Sequence, residues 1–435
     1  MADIIQPRVL KGFRDFLPEA ESGRKALVAI LEKTFGSFAF LPIDTPVLEY
    51  AEILLGKGGG ETDKQVYRFV DHGGREVAMR FDLTVPFARF MAEHADELYL
   101  PFRRYHIAKV WRGENTQRGR YREFMQCDFD IVGTDSAMAD ADIVLVIDAA
   151  MRALDVGKYA IRINHRGIFN RFLARSGAGD KSVAVLRLVD KLDKIGSDEV
   201  LRLLAQEVGA DTAELVMAFI RREESPSATL AKMENLAGGP AADSERVRGV
   251  LAAADAGGAA GSLVLDPSIT RGLDYYTGLV FETTLDALPQ IGSVCSGGRY
   301  DELASLYTTK RLPGVGASVG LDRLIAALEA VGSARSGTMS DGILILNLDE
   351  SLGLDYQSMA ASLRRKGFVS EIYPETRKLA QQFTYAEKKG FQFAIVYGVA
   401  EKERGAIPVK DLTTRLSVET ASVTEVAEYL ASRAG

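Results

Sequence analysis

Cysteine is nearly absent from this chain: Cys127 and Cys295 are the only two in 435 residues. Two thiols are too few for a disulfide framework and match no zinc-ligand spacing, so each reads as a small buried or site-lining residue in a reducing cytoplasm. Histidine is also sparse. The four histidines, at 72, 94, 106 and 165, are too scattered for a histidine metal cluster. No run approaches the ~18 apolar residues of a membrane span, and no apolar stretch follows the first basic residue as an export signal requires. Both common phosphate loops are missing, since there is no G-x-x-x-x-G-K-[ST] and the glycines at 314, 316 and 320 are spaced G-x-G-x-x-x-G rather than G-x-G-x-x-G. Any nucleotide site must therefore use arginines and sheet backbone.

The rest of the composition is globular, 47% hydrophobic and 26% charged, and 435 residues are too many for a single core. The net charge is -7, yet Arg103 to Glu123 holds seven Lys/Arg against two Glu. A cationic hairpin in an acidic chain marks a local site for phosphate or nucleic acid. The segment FRRYHIAKVWRGENTQRGRYREFMQCDFD reads as two extended runs joined by a basic loop, with Arg112 closing the first and Arg120 and Arg122 opening the second. On a strand beginning at Arg120, residues Arg120, Arg122, Phe124, Gln126, Asp128 and Asp130 share one face. Cations stand at one end of that face, an amide and carboxylates at the other. Such a face suits a zwitterion beside a polyphosphate; the alternative is an edge hairpin with a solvated polar face.

Ser22 precedes a helical pattern through Phe38, and FLPIDTPVLEY, with prolines at 42 and 46, suits an edge or interface strand. VYRFV and EVAMRFDLTV form a hairpin around His72-Gly73-Gly74. ADADIVLVIDAAMRAL reads as a helix and KYAIRINHR as a strand. Residues 168–258, rich in Ala, Leu, Glu and Lys, read as a helical insertion, after which LVLDPSI and LVFETTL resume strand character. Beyond the Gly/Ser-rich VGSARSGTMS, the strand–helix–strand alternation from Asp341 onward predicts a small α/β domain with a mainly parallel sheet.

Several other groupings carry chemistry. Asp82 and Thr84, two apart in MRFDLTVPFAR, would put a carboxylate and a hydroxyl on one strand face for an ammonium group, although Asp-x-Thr also makes turns and helix caps. TRGLDYYTGLVFE carries Arg271 and the pair Tyr275-Tyr276 between glycines 272 and 278, either around a ligand or at a strand entry. Gly297-Gly298 before Arg299 predicts a close nucleotide approach or a turn. Arg323 lies on the first turn of a helix that follows glycines 314, 316 and 320, a place that can hold phosphate.

An arginine after a strand, a basic loop, a second strand and a Gly–Arg entry to a helix together resemble class II aminoacyl-tRNA synthetases. RGLDYYTG, GGRYD, DLTVPFAR and GRYREFMQCDFD narrow the resemblance to the histidyl-tRNA synthetase family, and it covers essentially the whole chain. The form DLTVPFAR is more similar to the family's eukaryotic branch than to the common bacterial one. The resemblance implies an α+β catalytic domain, an antiparallel sheet flanked by helices, at residues 1–167 and 259–330. It further implies a tRNA-gripping helical insertion at 168–258, a linker at 331–340 and an anticodon-binding domain at 341–435. The implied activity is ATP-dependent ligation of L-histidine to tRNA(His) through histidyl-adenylate, with Mg²⁺ accompanying ATP and a homodimer joined through FLPIDTPVLEY. Residue by residue it implies histidine binding by Asp82, Leu83, Thr84, Arg112, Gln126, Asp130, Arg271, Tyr275 and Tyr276. ATP falls to Arg112, Glu114, Arg120, Arg299 and Arg323, and catalysis to Arg112 and Arg271. Gly113 departs from the pattern, since eukaryotic-type relatives usually carry a charged residue there, on the loop that meets the acceptor stem. The alternative is a non-catalytic synthetase-like regulatory subunit of ATP phosphoribosyltransferase; against it stand the C-terminal domain and Arg112, Arg271 and Arg323.

Overall fold

The computed structural model describes residues 4–56, 64–269, 276–332 and 342–433. Arg271, Tyr275 and most of the 331–340 stretch lie outside the described residues. The chain divides into two compact units, residues 24–335 with 1–16, and residues 336–435 with 17–23.

The first unit is built on an eight-stranded sheet. Its strands are β1 (Leu41–Pro42), β2 (Phe102–Trp111), β3 (Glu123–Val132), β4 (Tyr159–His165), β5 (Leu263–Leu265), β6 (Leu279–Leu285), β7 (Cys295–Tyr300) and β8 (Gly314–Gly320). Their order is β1-β2-β3-β8-β7-β6-β4-β5. All inner pairings are antiparallel, as expected, while the short end strands β1 and β5 pair in parallel with β2 and β4. β2 and β3 are the longest hairpin, in register from Phe102 opposite Val132 to Trp111 opposite Glu123.

The second strand starts three residues later than its sequence suggests. Arg120 N–H turns back onto the Gln117 carbonyl (2.8 Å), and Arg122 N–H donates to the Gly12 carbonyl (2.8 Å) rather than into the sheet. Arg120 and Arg122 therefore belong to the loop. From Glu123 onward the period-2 pattern holds: Cys127, Phe129 and Ile131 face a core shared with Leu31 and Phe35 of the helix Pro18–Ser37 and with Ile143, Ile147 and Met151 of the helix Ala137–Leu154. Phe124, Gln126, Asp128 and Asp130 take the other face. One strand thus has an oily side and a charged side, both covered.

A small sheet of Leu48–Tyr50, Glu76–Met79 and Arg68–Val70 lies beside it, and its hairpin closes at Gly74, whose φ is +77°. Its outer strands expose Leu48, Tyr50, Phe69 and Val70. The expected strand through Asp82 and Thr84 ends at Met79, because Thr84 opens the helix Thr84–His94 and Asp82 Oδ1 accepts the Val85 N–H (3.0 Å) in the manner of a cap. Helices run from Arg166 to Ala256 where the insertion is expected. Phe169, Phe172 and Phe219 pack there with ring centroids 4.4–6.0 Å apart, in a core continuous with that of the sheet.

The second unit has a five-stranded sheet. Ser370–Ile372, Ile343–Ile345 and Phe393–Ile395 pair in parallel, whereas Ile407–Asp411 and Ser417–Thr420 are antiparallel. It is therefore an evenly mixed sheet, not a mainly parallel one, because the turn at 412–416 is too short for a parallel crossover. No helix among the described residues is long and apolar enough to cross a membrane.

Candidate active site

The charged face of the large sheet floors a cavity of about 890 Å³. Of the expected site residues, Asp82, Thr84, Arg112, Glu114, Arg120, Gln126, Asp130, Tyr276 and Arg323 all line it. They arrive from two helix starts, the β2–β3 loop, β3 and the segment before β6. The arginines gather at one end, with Glu114 and Glu282 beside them, and Asp82, Asp128 and Asp130 at the other.

At the cationic end, the Arg112 guanidinium donates from Nε to the Phe81 carbonyl (2.8 Å) and lies 5.2 Å from the Phe124 ring. Gly119, at φ +74°, sets the loop backbone against Arg323, where an added Cβ would come 3.5 Å from the Arg323 Cα. That contact brings Arg120 beside Arg323. Burial, reinforced by the charges of Arg120 and Arg112 and opposed by Glu114 and Glu282, lowers Arg323 to about 10, so it stays charged at neutral pH. Three guanidiniums drawn together this closely repel one another until an anion arrives. Asp322, next along the same helix turn, accepts the Met125 N–H (2.7 Å) and anchors the start of β3.

The acidic end is more deeply buried. Asp82, Asp128 and Asp130 are each 1–3% exposed. Arg104, opposite Asp130 in the β2–β3 register, approaches its Oδ2 at 2.7 Å, rests 4.1 Å from the Phe87 ring and is itself fully buried. Tyr300 donates its hydroxyl to the other Asp130 oxygen (2.5 Å). Burial raises the Asp130 carboxyl, with Arg104 and Tyr300 opposing. Gln126 donates to the Ser318 hydroxyl (3.1 Å). His106, opposite Asp128, contacts Asp44 (2.9 Å); burial and the neighbouring Arg104 and Arg80 lower it to about 3, so its ring is neutral.

Two expected residues lie elsewhere. Arg299 does not reach the cavity: its guanidinium is consumed by the buried carboxylate of Asp140 (Nε–Oδ1 2.8 Å) and by the Thr134 carbonyl (3.2 Å), so it is not part of a nucleotide site. Of the glycines before it, Gly297 lines the cavity, while Gly298 serves packing, since a Cβ there would stand 2.7 Å from the Leu279 carbonyl and 2.8 Å from the Tyr276 ring. Leu83 packs its side chain in the interior and does not line the cavity. Arg271 and Tyr275 fall outside the described residues. Sequence reasoning placed Asp128 on the polar face but singled out no role for it, and assigned none to Arg104, Tyr300 or Ser318; a hairpin closed symmetrically on Arg112 and Arg122 would have placed Arg104 opposite Asp130.

Gly113 has a local explanation. Its N–H donates to the Gln65 carbonyl (2.7 Å), and a Cβ would stand 3.2 Å from that oxygen. A second cavity, of about 630 Å³, shares Arg120, Arg162 and Glu282 with the first and adds Arg118 and Lys194.

A family profile described as histidyl-tRNA synthetase matches residues 12–324, and one described as an anticodon binding domain matches residues 342–433. The chain is 51% identical to the histidine–tRNA ligase of Treponema denticola, covering 100% of both chains. It is 50% identical to the histidine–tRNA ligase of Rhodopirellula baltica, covering 96% of each. Among solved structures, the histidyl-tRNA synthetase of Nostoc sp. PCC 7120 matches with a TM-score of 0.88 at 30% identity, covering 99% of this chain and 100% of that one.

Proposed function

The chain belongs to the histidyl-tRNA synthetase family, and we propose that the two ends of its cavity divide the substrates of that family's reaction between them. It is a class II aminoacyl-tRNA synthetase that ligates histidine to tRNA. The regulatory-subunit alternative is not favoured, because the ligases it matches are alike over their full length. In the proposed course, the histidine carboxylate attacks the α-phosphate of ATP in line, giving histidyl-adenylate and pyrophosphate. The terminal ribose hydroxyl of tRNA(His) then attacks the acyl carbon.

One observation carries the division: the cavity lining changes sign between the arginines of the loop before β3 and the carboxylates of β3 itself. Asp82, Thr84, Gln126 and Asp130 receive the histidine, with Tyr276 beside its ring. A site that hydrogen-bonds a polar ring rejects ligands lacking one by factors of ~10⁴ or more. Arg112, Arg120 and Arg323 receive ATP, and Arg271 joins Arg112 at the α-phosphate on the family resemblance alone. Two anions must meet, so neutralising charge and positioning supply the rate, and no side chain acts as nucleophile. Mg²⁺ is held mostly by substrate phosphates with one or two protein carboxylates. Glu114 and Glu282 line the cavity wall beside the arginines, so they fit that role, and the ion would neutralise pyrophosphate charge.

The 113–119 loop and the second cavity face tRNA in this reading, and residues 341–435 read the anticodon. The apolar side chains exposed at Leu41, Leu48, Tyr50, Phe69 and Val70 support a homodimer. The two buried thiols suit the cytoplasm.

ATP–pyrophosphate exchange measured with each of the twenty amino acids tests the reading. Exchange with histidine alone is expected, and exchange with none would revive the regulatory subunit. Removing residues 341–435 should spare exchange more than tRNA charging; equal loss of both in a folded truncation would remove the anticodon role.

A further inference from the structure

We propose that Asp128, to which the family resemblance assigns no role, is the central acceptor for the α-ammonium group of the substrate, and that it gives up a proton to solvent when that group arrives. This rests on the reading of the acidic end as the histidine site.

The argument begins with oxygen atoms. Among the described residues, three buried acceptors on the β3 face have no hydrogen-bond donor: Gln126 Oε1, Asp128 Oδ1 and Asp130 Oδ2, the last meeting Arg104 only as an ion pair. Buried acceptors are rarely left without donors, and three in a row floor a cavity. An ammonium group brings three N–H donors and a positive charge. Successive same-face residues on a strand stand roughly 6.7 Å apart, so of the three only Asp128 neighbours both of the others. It is 2% exposed and lines the cavity.

The surrounding charges decide its state in the empty site. Arg104 and the neutral His106 face it from β2, Asp130 from its own strand and Ser318 from β8, with Asp82 and Arg80 from the segment entering the helix Thr84–His94. Behind the strand, burial raises the thiols of Cys127 and Cys295 and keeps them neutral. Arg104 is shared with Asp130, which leaves Asp128 undercompensated. Burial, with Asp130 and Asp82 adding to it, raises its carboxyl to about 7. At pH 7 roughly half the molecules hold this proton. A cation placed against Oδ1 favours the ionised form, and the proton passes to buffer.

The full chain supplies the test. Calorimetric titration at pH 7 in two buffers of different ionisation enthalpy counts the protons exchanged on binding histidine and on binding imidazolepropionate, which lacks the ammonium group. Histidine should release about half a proton more than the analogue once the proton that each free imidazole carries at pH 7, titrated separately because the ammonium group lowers the imidazole of histidine, is subtracted. Asp128→Asn should abolish that difference and weaken histidine binding at least tenfold, while narrowing its advantage over the analogue and leaving the dissociation constant of ATP within twofold. Asp128→Ser repeats the measurement if Asp128→Asn does not bind ATP, and the comparison of ligands on the unmutated chain needs no variant. Equal counts after that subtraction overturn the proposal, as does an undiminished preference for histidine in either variant. A chain that binds ATP but neither ligand overturns the histidine site itself, which is a separate failure.

Discussion

At one end of the cavity three arginines, Arg112, Arg120 and Arg323, stand together; at the other, three aspartates, Asp82, Asp128 and Asp130. Burial acts differently on the two sets. A guanidinium starts so high that the drop of Arg323 to about 10 leaves it fully charged at neutral pH. A carboxyl starts low, and burial brings Asp128 to about 7. The arginine end is therefore indifferent to pH over the physiological range, while Asp128 brings the aspartate end to titrate within it. Selectivity for a phosphate can be built from permanent charge. Selectivity for an ammonium group, in a dry site, brings a proton equilibrium with it.

Four measurements would break or sharpen this contrast, in decreasing order of expected effect. Arg112→Ala should slow pyrophosphate exchange roughly 10²–10³-fold, the usual cost of removing one preorganised charge partner, with the dissociation constant of histidine little changed. Equal damage to both ligands would mean the two ends are not separable. Gly316→Ala, by contrast, should strike the acidic end alone, because its Cβ would fall 2.0 Å from Asp130 Oδ1. Overpacking of that kind costs about 1–3 kcal/mol, read as a rise in the KM for histidine at constant KM for ATP.

The third measurement is the pH dependence of stability. Asp128 is raised from 3.8 to about 7 in the folded chain, so the folded state holds its proton where the unfolded state has lost it. Stability from this group accordingly falls as pH rises from 4 to 7 and stays low above that. Asp128→Asn should melt higher than the unmutated chain at pH 8, by about 2–4 °C per kcal/mol, and near it at pH 4. His106 has the opposite sign: lowered to about 3 from 6.5, it lowers stability as pH drops below 6.5. The smallest effect expected is that of Gly113→Ala, under ~1 kcal/mol from the approach to the Gln65 carbonyl. Charging of tRNA should change more than exchange does, since Gly113 itself does not line the cavity.

The amide and carboxylates of the β3 face were legible in the sequence because a strand face depends only on a spacing of two. The buried state of that face was not, since nothing local says that β8 and the segment entering the helix Thr84–His94 will close around Asp128. Arg299 illustrates the same limit. It follows two glycines, as a phosphate-binding arginine would, but its partner Asp140 lies on a helix 159 positions earlier. Asp82 and Thr84 were chosen correctly as cavity residues on a mistaken geometry, a strand face in place of a helix start. The two readings differ by one local hydrogen bond, from Val85 to Asp82. The start of β3 was missed because Arg122 pairs with Gly12, a contact no pattern in the hairpin announces. The DLTVPFAR form, more similar to the eukaryotic branch, occurs in a chain half identical to ligases of Treponema denticola and Rhodopirellula baltica.

β3 lies between β2, which precedes it in the chain, and β8, which follows only after the helices from Arg166 to Ala256. During synthesis, Asp128 and Asp130 therefore leave the ribosome long before Gly316 and Ser318, their neighbours across the sheet. Until then one edge of β3 is unpaired and open to water, and the cavity lacks the wall that β8 supplies. A truncated or stalled chain ending before residue 314 would carry most of the substrate-binding side chains and bind neither substrate. The last strand to join is the one that dries the site.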